Sequence, residues 1–333
     1  MIKDDLFVLL DGGEYTKDQD ILFRLKPNRS FSWGYGVEHH TGEAGWRTGS
    51  EKIDDTDKNN MKIIVVGDSC TFGLGVPYDK TYGAVLEKKL NEGNTQKTKV
   101  YNFGVPGFTS FQCRKVLEKV VPFLKPMVVV CYIGANDGVQ TMEYSDKEYY
   151  DNINTNAKSF VHRSLKYSNI FKLLQAKRYK NKMSLLERNI EHLPEGTDWF
   201  KLALPDLIAG LEQKGIKLDK KVFNKSRVSV AEFKRNLLSM EELAKKHNAT
   251  FIYISNIWND GDNLHYRKDY LSVDYLDTKR ELEKYKTEDV FIDTVHPSAK
   301  GHHIIAEMLF ELIFKNNNFL TSLPPDPSVA QNR

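Results

Sequence analysis

The chain has 333 residues, and its composition is typical of a folded globular protein. Hydrophobic residues make up 40% and charged residues 28%, enough apolar side chains to bury a core and too few charges for a disordered chain. The 48 Lys and Arg residues nearly balance the 45 Asp and Glu, for a formal charge of +3, which argues against a dedicated nucleic-acid binder. No apolar run approaches the ~20 residues that a membrane span needs.

The compartment is predicted from the N-terminus and the cysteines. The first residues lack the basic-then-apolar order of a signal peptide. The 3 cysteines include no CxxC pair and cannot build a disulfide framework. These features predict a cytoplasmic protein, with the cell envelope as the expected location if the N-terminus is truncated.

Residues 1–60 form a polar stretch with scattered aromatic side chains. Within it, residues 21–25 read as a short strand that enters a turn. We expect Trp33, Tyr35 and Trp46 to pin this N-terminal extension to the main body of the protein.

From residue 62 onward, short apolar runs that suit strands alternate with stretches of helical spacing. The predicted strands are residues 62–66, 99–103, 127–133, 250–255 and 290–292, and the predicted helices are 81–90, 110–124, 228–247 and a last one ending near Phe314. This alternation predicts an α/β protein with a parallel sheet covered by helices. In such sheets, ligands and chemistry gather at the carboxyl ends of the strands.

One stretch interrupts the alternation and reads as mostly helical and basic. Residues 158–235 carry 18 Lys or Arg against 8 Asp or Glu, a local balance of 18 − 8 = +10. This basic insert is either a solvated helical face or a cap over the site, which would favour an anionic substrate or contact with an anionic membrane surface. We expect an N-terminal extension over 1–60, a core domain over 61–315 with the insert at about 140–227, and a C-terminal tail over 316–333.

Three polar side chains that follow predicted strands could act together as a nucleophilic site. Ser69 comes directly after the first strand of the alternating region, but a serine hydroxyl is a weak nucleophile without an adjacent base. His296 is the only histidine in a comparable position, and Asp293 precedes it by three residues. An aspartate at that spacing can fix the ring tautomer and stabilise the imidazolium that forms when the serine loses its proton.

Acyl transfer at such a site also needs hydrogen-bond donors for the developing oxyanion. The candidates are the backbone N–H groups of Ser69 and Gly107 and the side-chain amide of Asn136. Glycine at 107 would let the backbone approach closely. Gly104 is the alternative backbone donor in the same stretch.

Four motifs in this order resemble the four blocks of the SGNH (GDSL) hydrolase family. They are GDSCTFG at 67–73, NFGVPG at 102–107, GAND at 134–137 and DTVHPSAKGH at 293–302. The resemblance implies a three-layer α/β/α, flavodoxin-like fold and esterase or acylhydrolase chemistry, without a metal or cofactor. It further implies that Ser69 is the nucleophile, His296 the base and Asp293 its orienting partner, with Ser69, Gly107 and Asn136 as the oxyanion hole.

Two weaker sequence similarities extend the resemblance to larger bacterial members of the family. LFRLKPN at 22–28 with GWR at 45–47, and SLKYSNIFKLL at 164–174, look like flanking elements of those members. Many of them carry a membrane anchor or an export signal, and this chain shows neither.

Several of these residues also have a purely structural interpretation. Ser69 could be only a helix N-cap, and Asn136 with Asp137 only a turn. Asp68 is expected to bond local backbone. Cys70 reads as a small buried residue rather than a reactive thiol, because nothing basic is adjacent to it in sequence.

Two histidine pairs suggest a metal site but are expected to lie on the surface. The pairs are His39 with His40 and His302 with His303, and neither has a clear cluster of further ligands around it in the sequence.

The sequence therefore predicts a serine esterase or acylhydrolase that cleaves an O-acyl group from a carbohydrate or a lipid through an acyl-enzyme on Ser69. Two alternatives stay open: an O-acyltransferase that uses the same site, and a non-catalytic binding module on the same fold. A thioester substrate is a variant of the first interpretation. The expected partners are a small-molecule, lipid or glycan ester and no nucleic acid.

Overall fold

The description of the fold rests on a computed structural model of the chain. It describes residues 14–33, 35–47, 61–92, 97–141, 144–156, 225–254, 274–282, 284–293 and 295–315. Most of the basic insert and the whole of the predicted C-terminal tail lie outside these residues.

From residue 61 to residue 254, the strands and helices that the alternating pattern predicts are present in the predicted order. The strands are β1 (Tyr15–Asp18), β2 (Leu22–Leu25), β3 (Ser30–Ser32), β4 (Glu38–His40), β5 (Met61–Gly67), β6 (Thr98–Gly104), β7 (Val128–Tyr132), β8 (Gln140–Thr141), β9 (Lys225–Ser226), β10 (Thr250–Ile254) and β11 (Asp274–Leu276). The helices are α1 (Ser69–Phe72), α2 (Tyr82–Asn91), α3 (Ser110–Leu124), α4 (Asp146–Asn156), α5 (Val230–Lys246), α6 (Thr278–Leu282), α7 (Thr287–Val290) and α8 (Ala299–Lys315), with a 3-10 turn at Tyr78–Lys80.

Five strands form one parallel sheet in the order β11-β10-β7-β5-β6. Counted along the chain, this is the order 2-1-3-4-5 of flavodoxin-like folds, which confirms the predicted fold class. The strand order reverses at β5, and in open α/β sheets ligands bind at such a point, outside the carboxyl ends of the strands. The polar residues that follow β5, β6 and β7 are therefore brought to one edge of the sheet.

Helices cover both faces of the sheet and make the fold three-layered. Every residue of β5 is buried, which explains its unbroken apolar run, since its side chains alternate between two covered faces. Helices α2 and α8 pack together on one face, and α3 and α5 on the other. The first face buries Ile63, Val65, Leu86 and Leu309, and the second buries Ile64, Val66, Phe111 and Leu237.

The predicted strand at residues 290–292 is wrong. The chain there leaves α7 and enters a tight loop in which Phe291 pairs with Pro297 as an isolated bridge. The fifth strand of the sheet is β11 instead. Three consecutive apolar residues do not distinguish a buried strand from the end of a helix followed by a packed loop.

The N-terminal extension packs on the sheet and on α1 through its aromatic side chains. The Trp46 ring meets Phe103 of β6 edge-on, with 5.0 Å between the ring centroids. Trp33 lies 5.9 Å from Phe72 of α1 by the same measure. Among the described residues, every helix is too short or too polar to cross a membrane.

Candidate active site

Ser69 lies at the carboxyl end of β5, at the start of the short helix α1. The carboxylate of Asp68 caps this helix by accepting a hydrogen bond from the Cys70 N–H at 2.9 Å, as expected for a residue that bonds local backbone. A Cβ at Gly67 would lie 2.1 Å from Thr71 Oγ1 and 2.2 Å from the Tyr132 carbonyl oxygen. The glycine is therefore what lets the chain turn tightly from strand into helix.

The loop after α7 brings Asp293 and His296 to the same place. Asp293 Oδ1 accepts hydrogen bonds from the backbone N–H groups of Val295 and His296, both at 2.7 Å. These bonds curl the loop into a turn and fix the carboxylate beside the imidazole ring.

Ser69, His296 and Asp293 form a continuous hydrogen-bonded chain, which we call the triad. His296 Nδ1 lies 2.7 Å from Asp293 Oδ2, and His296 Nε2 lies 2.8 Å from Ser69 Oγ. Because a carboxylate can only accept, the ring proton resides on Nδ1, and the unprotonated Nε2 faces the serine hydroxyl. This is the tautomer that a general base for Ser69 requires.

A residue of the N-terminal extension also contacts the triad. The Tyr35 hydroxyl donates a hydrogen bond to Asp293 Oδ2 at 2.6 Å. Burial alone would raise the pKa of the Asp293 carboxyl, but hydrogen bonds from His296 and Tyr35 outweigh it and hold this pKa well below its usual range. Asp293 is therefore ionised throughout the neutral range.

The stretch after β6 forms a tight turn that presents backbone N–H groups. The Phe108 N–H donates to the Val105 carbonyl at 3.0 Å, with Pro106 and Gly107 as the two central residues. Gly107 has a φ of 84°, the left-handed value that the third position of a type II turn demands.

The two candidate glycines differ in the partners of their backbone N–H groups. The Gly104 N–H already donates to Asn102 Oδ1 at 2.8 Å. The Gly107 N–H has no partner among the described residues, so it remains available to a ligand.

Asn136 lies in the turn after β7 and is tied to the loop of Gly107. Its side-chain amide donates one hydrogen to the Phe108 carbonyl at 2.9 Å. An amide nitrogen carries two hydrogens, so the second remains for a further acceptor.

A group of buried polar side chains holds these two turns, and we call it the buried scaffold. Its members are Thr109, Ser110, Gln112, Asp137, Asp146, Arg227 and Asn236.

Arg227 is the central member of the buried scaffold. Its guanidinium donates to both carboxylate oxygens of Asp146, at 3.1 and 3.0 Å. Further hydrogen bonds reach the Gly107 carbonyl at 2.7 Å and Gln112 Oε1 at 3.1 Å. Arg227 therefore links the turn of Gly107 to residues at both ends of the predicted insert.

Asp137 holds the other side of the scaffold. Its carboxylate accepts from the backbone N–H and the hydroxyl of Ser110. Burial raises the pKa of Asp137 to about 7, although the hydrogen bonds from Ser110 oppose the shift. These contacts agree with the structural interpretation of Asp137 given above.

Cys70 is a small buried residue, as its sequence context predicts. Its side chain is 0% exposed, and its sulfur lies 3.7 Å from the Val295 carbonyl oxygen. Burial raises the pKa of the Cys70 thiol, so the nucleophilic thiolate is disfavoured.

The expected surface location is wrong for one histidine of each pair. His39 is buried against Phe72 and hydrogen-bonded to Arg47, and burial together with the Arg47 charge lowers the pKa of His39 to about 3. His302 is buried too, and its Nδ1 accepts from the Tyr82 N–H at 3.2 Å. The described residues hold no group of three or more His, Cys, Asp or Glu that could bind a metal ion.

Sequence reasoning missed three residues that contact the candidate site: Tyr35, Asp146 and Arg227. Tyr35 was expected only to pin the extension, and no motif connects it to Asp293, 258 positions away. Asp146 and Arg227 pair across 81 positions, beyond the reach of any local pattern.

The model of the GDSL-like lipase/acylhydrolase family matches residues 65–304, which span the triad and both turns. No curated protein sequence matches the chain.

Solved structures with a similar backbone include two esterases, one of them a catalytic mutant, and a lipase/acylhydrolase. A catalytic mutant of an acetylxylan esterase from Geobacillus stearothermophilus is 17% identical, with 76% of this chain and 94% of that chain covered and a TM-score of 0.43. A lipase/acylhydrolase from Enterococcus faecalis is 16% identical, with 77% and 96% covered and a TM-score of 0.42. A psychrotrophic esterase from Pseudoalteromonas sp. is 13% identical, with 78% and 100% covered and a TM-score of 0.44.

Proposed function

Because the chain belongs to the GDSL-like lipase/acylhydrolase family, we propose that it is a serine esterase that forms an acyl-enzyme on Ser69. The observation that carries this proposal is the unbroken chain of contacts from Ser69 Oγ through His296 to Asp293. The proposed substrate is a carboxylic ester with its acyl group on a carbohydrate or a lipid.

In the first half of the proposed reaction, His296 Nε2 takes the hydroxyl proton as Ser69 Oγ attacks the ester carbonyl carbon. The imidazolium that forms is stabilised by the Asp293 carboxylate at its other ring nitrogen. His296 then donates the proton to the leaving alkoxide, and the acyl group stays on Ser69 as an ester. In the second half, His296 activates a water molecule that releases the acid.

The proposed oxyanion hole consists of the Ser69 N–H, the Gly107 N–H and the Asn136 amide. Its support is the Gly107 N–H, which has no partner in the described part of the chain, together with the hydrogen bond that ties Asn136 to the same turn. Donors fixed in this way favour the tetrahedral intermediate over the planar ester, because they need no reorganisation as the negative charge develops.

The test is hydrolysis of p-nitrophenyl esters, from acetate through butyrate and octanoate to laurate, by the wild type and by Ser69→Ala. We expect the wild type to hydrolyse at least one ester and the variant to lose at least about 10⁴-fold in kcat, because the triad acts as a unit. Ser32→Ala is the matched control, since Ser32 is an exposed serine of β3. The optimum of chain length separates a carbohydrate deacetylase from a lipid acylhydrolase.

A second measurement tests the acyl-enzyme directly. A fluorophosphonate probe should add to Ser69, as located by peptide mass spectrometry, and should not add to Ser69→Ala. A protein that binds the probe but hydrolyses no ester would favour the O-acyltransferase that uses the same site. A folded protein that neither reacts nor hydrolyses would favour a binding module and would contradict the proposal.

A further inference from the structure

The hydrogen bond from the N-terminal extension to Asp293 has a consequence for the triad. An ionised carboxylate has about four acceptor positions, two on each oxygen. At Asp293, the Val295 and His296 N–H groups occupy Oδ1, and His296 Nδ1 and the Tyr35 hydroxyl occupy Oδ2. Tyr35 supplies the fourth donor, and it is the only one of the four that comes from outside the loop after α7.

We propose that Tyr35 is a positioning residue of the triad, and that the N-terminal extension is therefore part of the catalytic unit rather than a cover over the sheet. This inference rests on the proposed esterase function. It assigns to the extension a role that no motif in its sequence indicates.

The position of the Tyr35 ring supports this role. A Cβ on Gly75 would lie 3.1 Å from Tyr35 Cγ and 2.2 Å from Ile292 Cδ1, so the backbone at Gly75 packs against both side chains. Ile292 immediately precedes Asp293 in the chain. The Tyr35 ring also meets the His296 ring nearly edge-on, with 6.2 Å between the centroids.

The Tyr35 hydroxyl affects the hydrogen bond between His296 Nδ1 and Asp293 Oδ2, which carries the ring proton. The Tyr35 hydroxyl and His296 Nδ1 both donate to Oδ2, so each of these two hydrogen bonds is weaker than it would be alone. With the hydroxyl in place, Oδ2 is held in the position that orients the imidazole toward Ser69. Without it, Oδ2 keeps only its contact with His296, so the orientation of the imidazole toward Ser69 depends on that single contact at a side chain that is already 24% exposed.

The experiment uses Tyr35→Phe, which keeps the ring and removes only the hydroxyl. With p-nitrophenyl acetate, we expect kcat to fall about 10-fold and KM to stay unchanged, by analogy with the hydrogen-bond partners of metal ligands, whose loss typically costs about 10- to 100-fold. Tyr285→Phe is the matched control, because Tyr285 is 40% exposed and lies outside the site. Equal melting temperatures of the three proteins exclude a general loss of structure.

A spectroscopic measurement needs no turnover and separates this inference from the proposed function. The proton between His296 Nδ1 and Asp293 Oδ2 should give a far-downfield proton resonance. In Tyr35→Phe it should move further downfield, because Oδ2 loses its competing donor, whereas Tyr285→Phe should leave it in place. An unmoved resonance, or wild-type kcat in Tyr35→Phe, would overturn the inference. If the wild type hydrolyses no ester, the resonance alone decides it.

Discussion

The triad and the buried scaffold meet at one edge of the sheet, but side chains and backbone have opposite roles in the two groups. In the triad, side chains carry the proposed chemistry and backbone N–H groups hold them, as at Asp293. In the scaffold, the proposed donor at Gly107 belongs to the backbone, and side chains such as Arg227 hold it.

The two groups also differ in exposure. The side chains of His296 and Asp293 are 11% and 24% exposed, whereas those of Arg227 and Asp146 are only 7% and 2% exposed. A reacting side chain has to meet substrate and water, so little of the stability of the fold depends on it. Removing one partner of a buried ion pair leaves an uncompensated charge, which costs stability, and here it also releases a backbone turn. Substitution of Ser69 should therefore affect activity alone, and substitutions in the scaffold should affect both.

The largest effect on stability is expected from Arg227→Met. Removing the guanidinium leaves the Asp146 carboxylate buried without its ionic partner, which costs about 3–5 kcal/mol of unfolding free energy. The kcat for p-nitrophenyl acetate should fall as well, because the Gly107 carbonyl loses its anchor. Chemical denaturation and ester hydrolysis, measured on the same protein, give the two effects.

A second substitution tests the cause of that loss. Asp146→Asn, added to Arg227→Met, removes the uncompensated charge and should restore part of the unfolding free energy without restoring kcat. If Arg227→Met lost activity at wild-type stability, Arg227 would belong with the reacting groups, and the contrast between triad and scaffold would not hold.

Asn136→Ala tests the proposed oxyanion hole, where the triad and the buried scaffold meet. Loss of one oxyanion donor should lower kcat by about 10²–10³-fold, equivalent to about 2.7–4 kcal/mol, with KM nearly unchanged. The melting temperature should change much less than in Arg227→Met, because Asn136 is only half-buried and loses one hydrogen bond, to Phe108. Near-normal kcat in a folded Asn136→Ala would remove Asn136 from the proposed oxyanion hole.

The triad could be predicted from the sequence because each of its two parts has a local signal, and the four motifs connect the two parts across 227 positions. Ser69 directly follows an apolar run that suits a buried strand, and Asp293 and His296 are three residues apart, close enough for one turn to join them. The central strands were predicted for the same reason, since runs such as residues 62–66 are buried on both faces and read as continuous apolar segments.

The scaffold and Tyr35 could not be predicted because their contacts connect distant parts of the chain. Arg227 looked like one of many basic residues at the end of the insert, and its pairing with Asp146 exists only once β8 and β9 bring those segments together. His302 was misjudged in a related way. Its polar neighbours in sequence suggested a surface position, but the helical periodicity of α8 turns it inward against Tyr82.

The smallest effect is expected where strand β6, which leads into the turn of Gly107, touches α1, the helix that begins at Ser69. A Cβ at Gly104 would lie 2.2 Å from the Phe72 backbone nitrogen, so Gly104→Ala must push α1 away from β6. Such overpacking costs about 1–3 kcal/mol of unfolding free energy and should also lower kcat, since Ser69 shifts relative to Gly107. Gly138→Ala is the matched control, because a Cβ there meets nothing within 4 Å. If Gly104→Ala lost stability but kept wild-type kcat, the spacing between the two groups would not limit the reaction, and triad and scaffold would act independently.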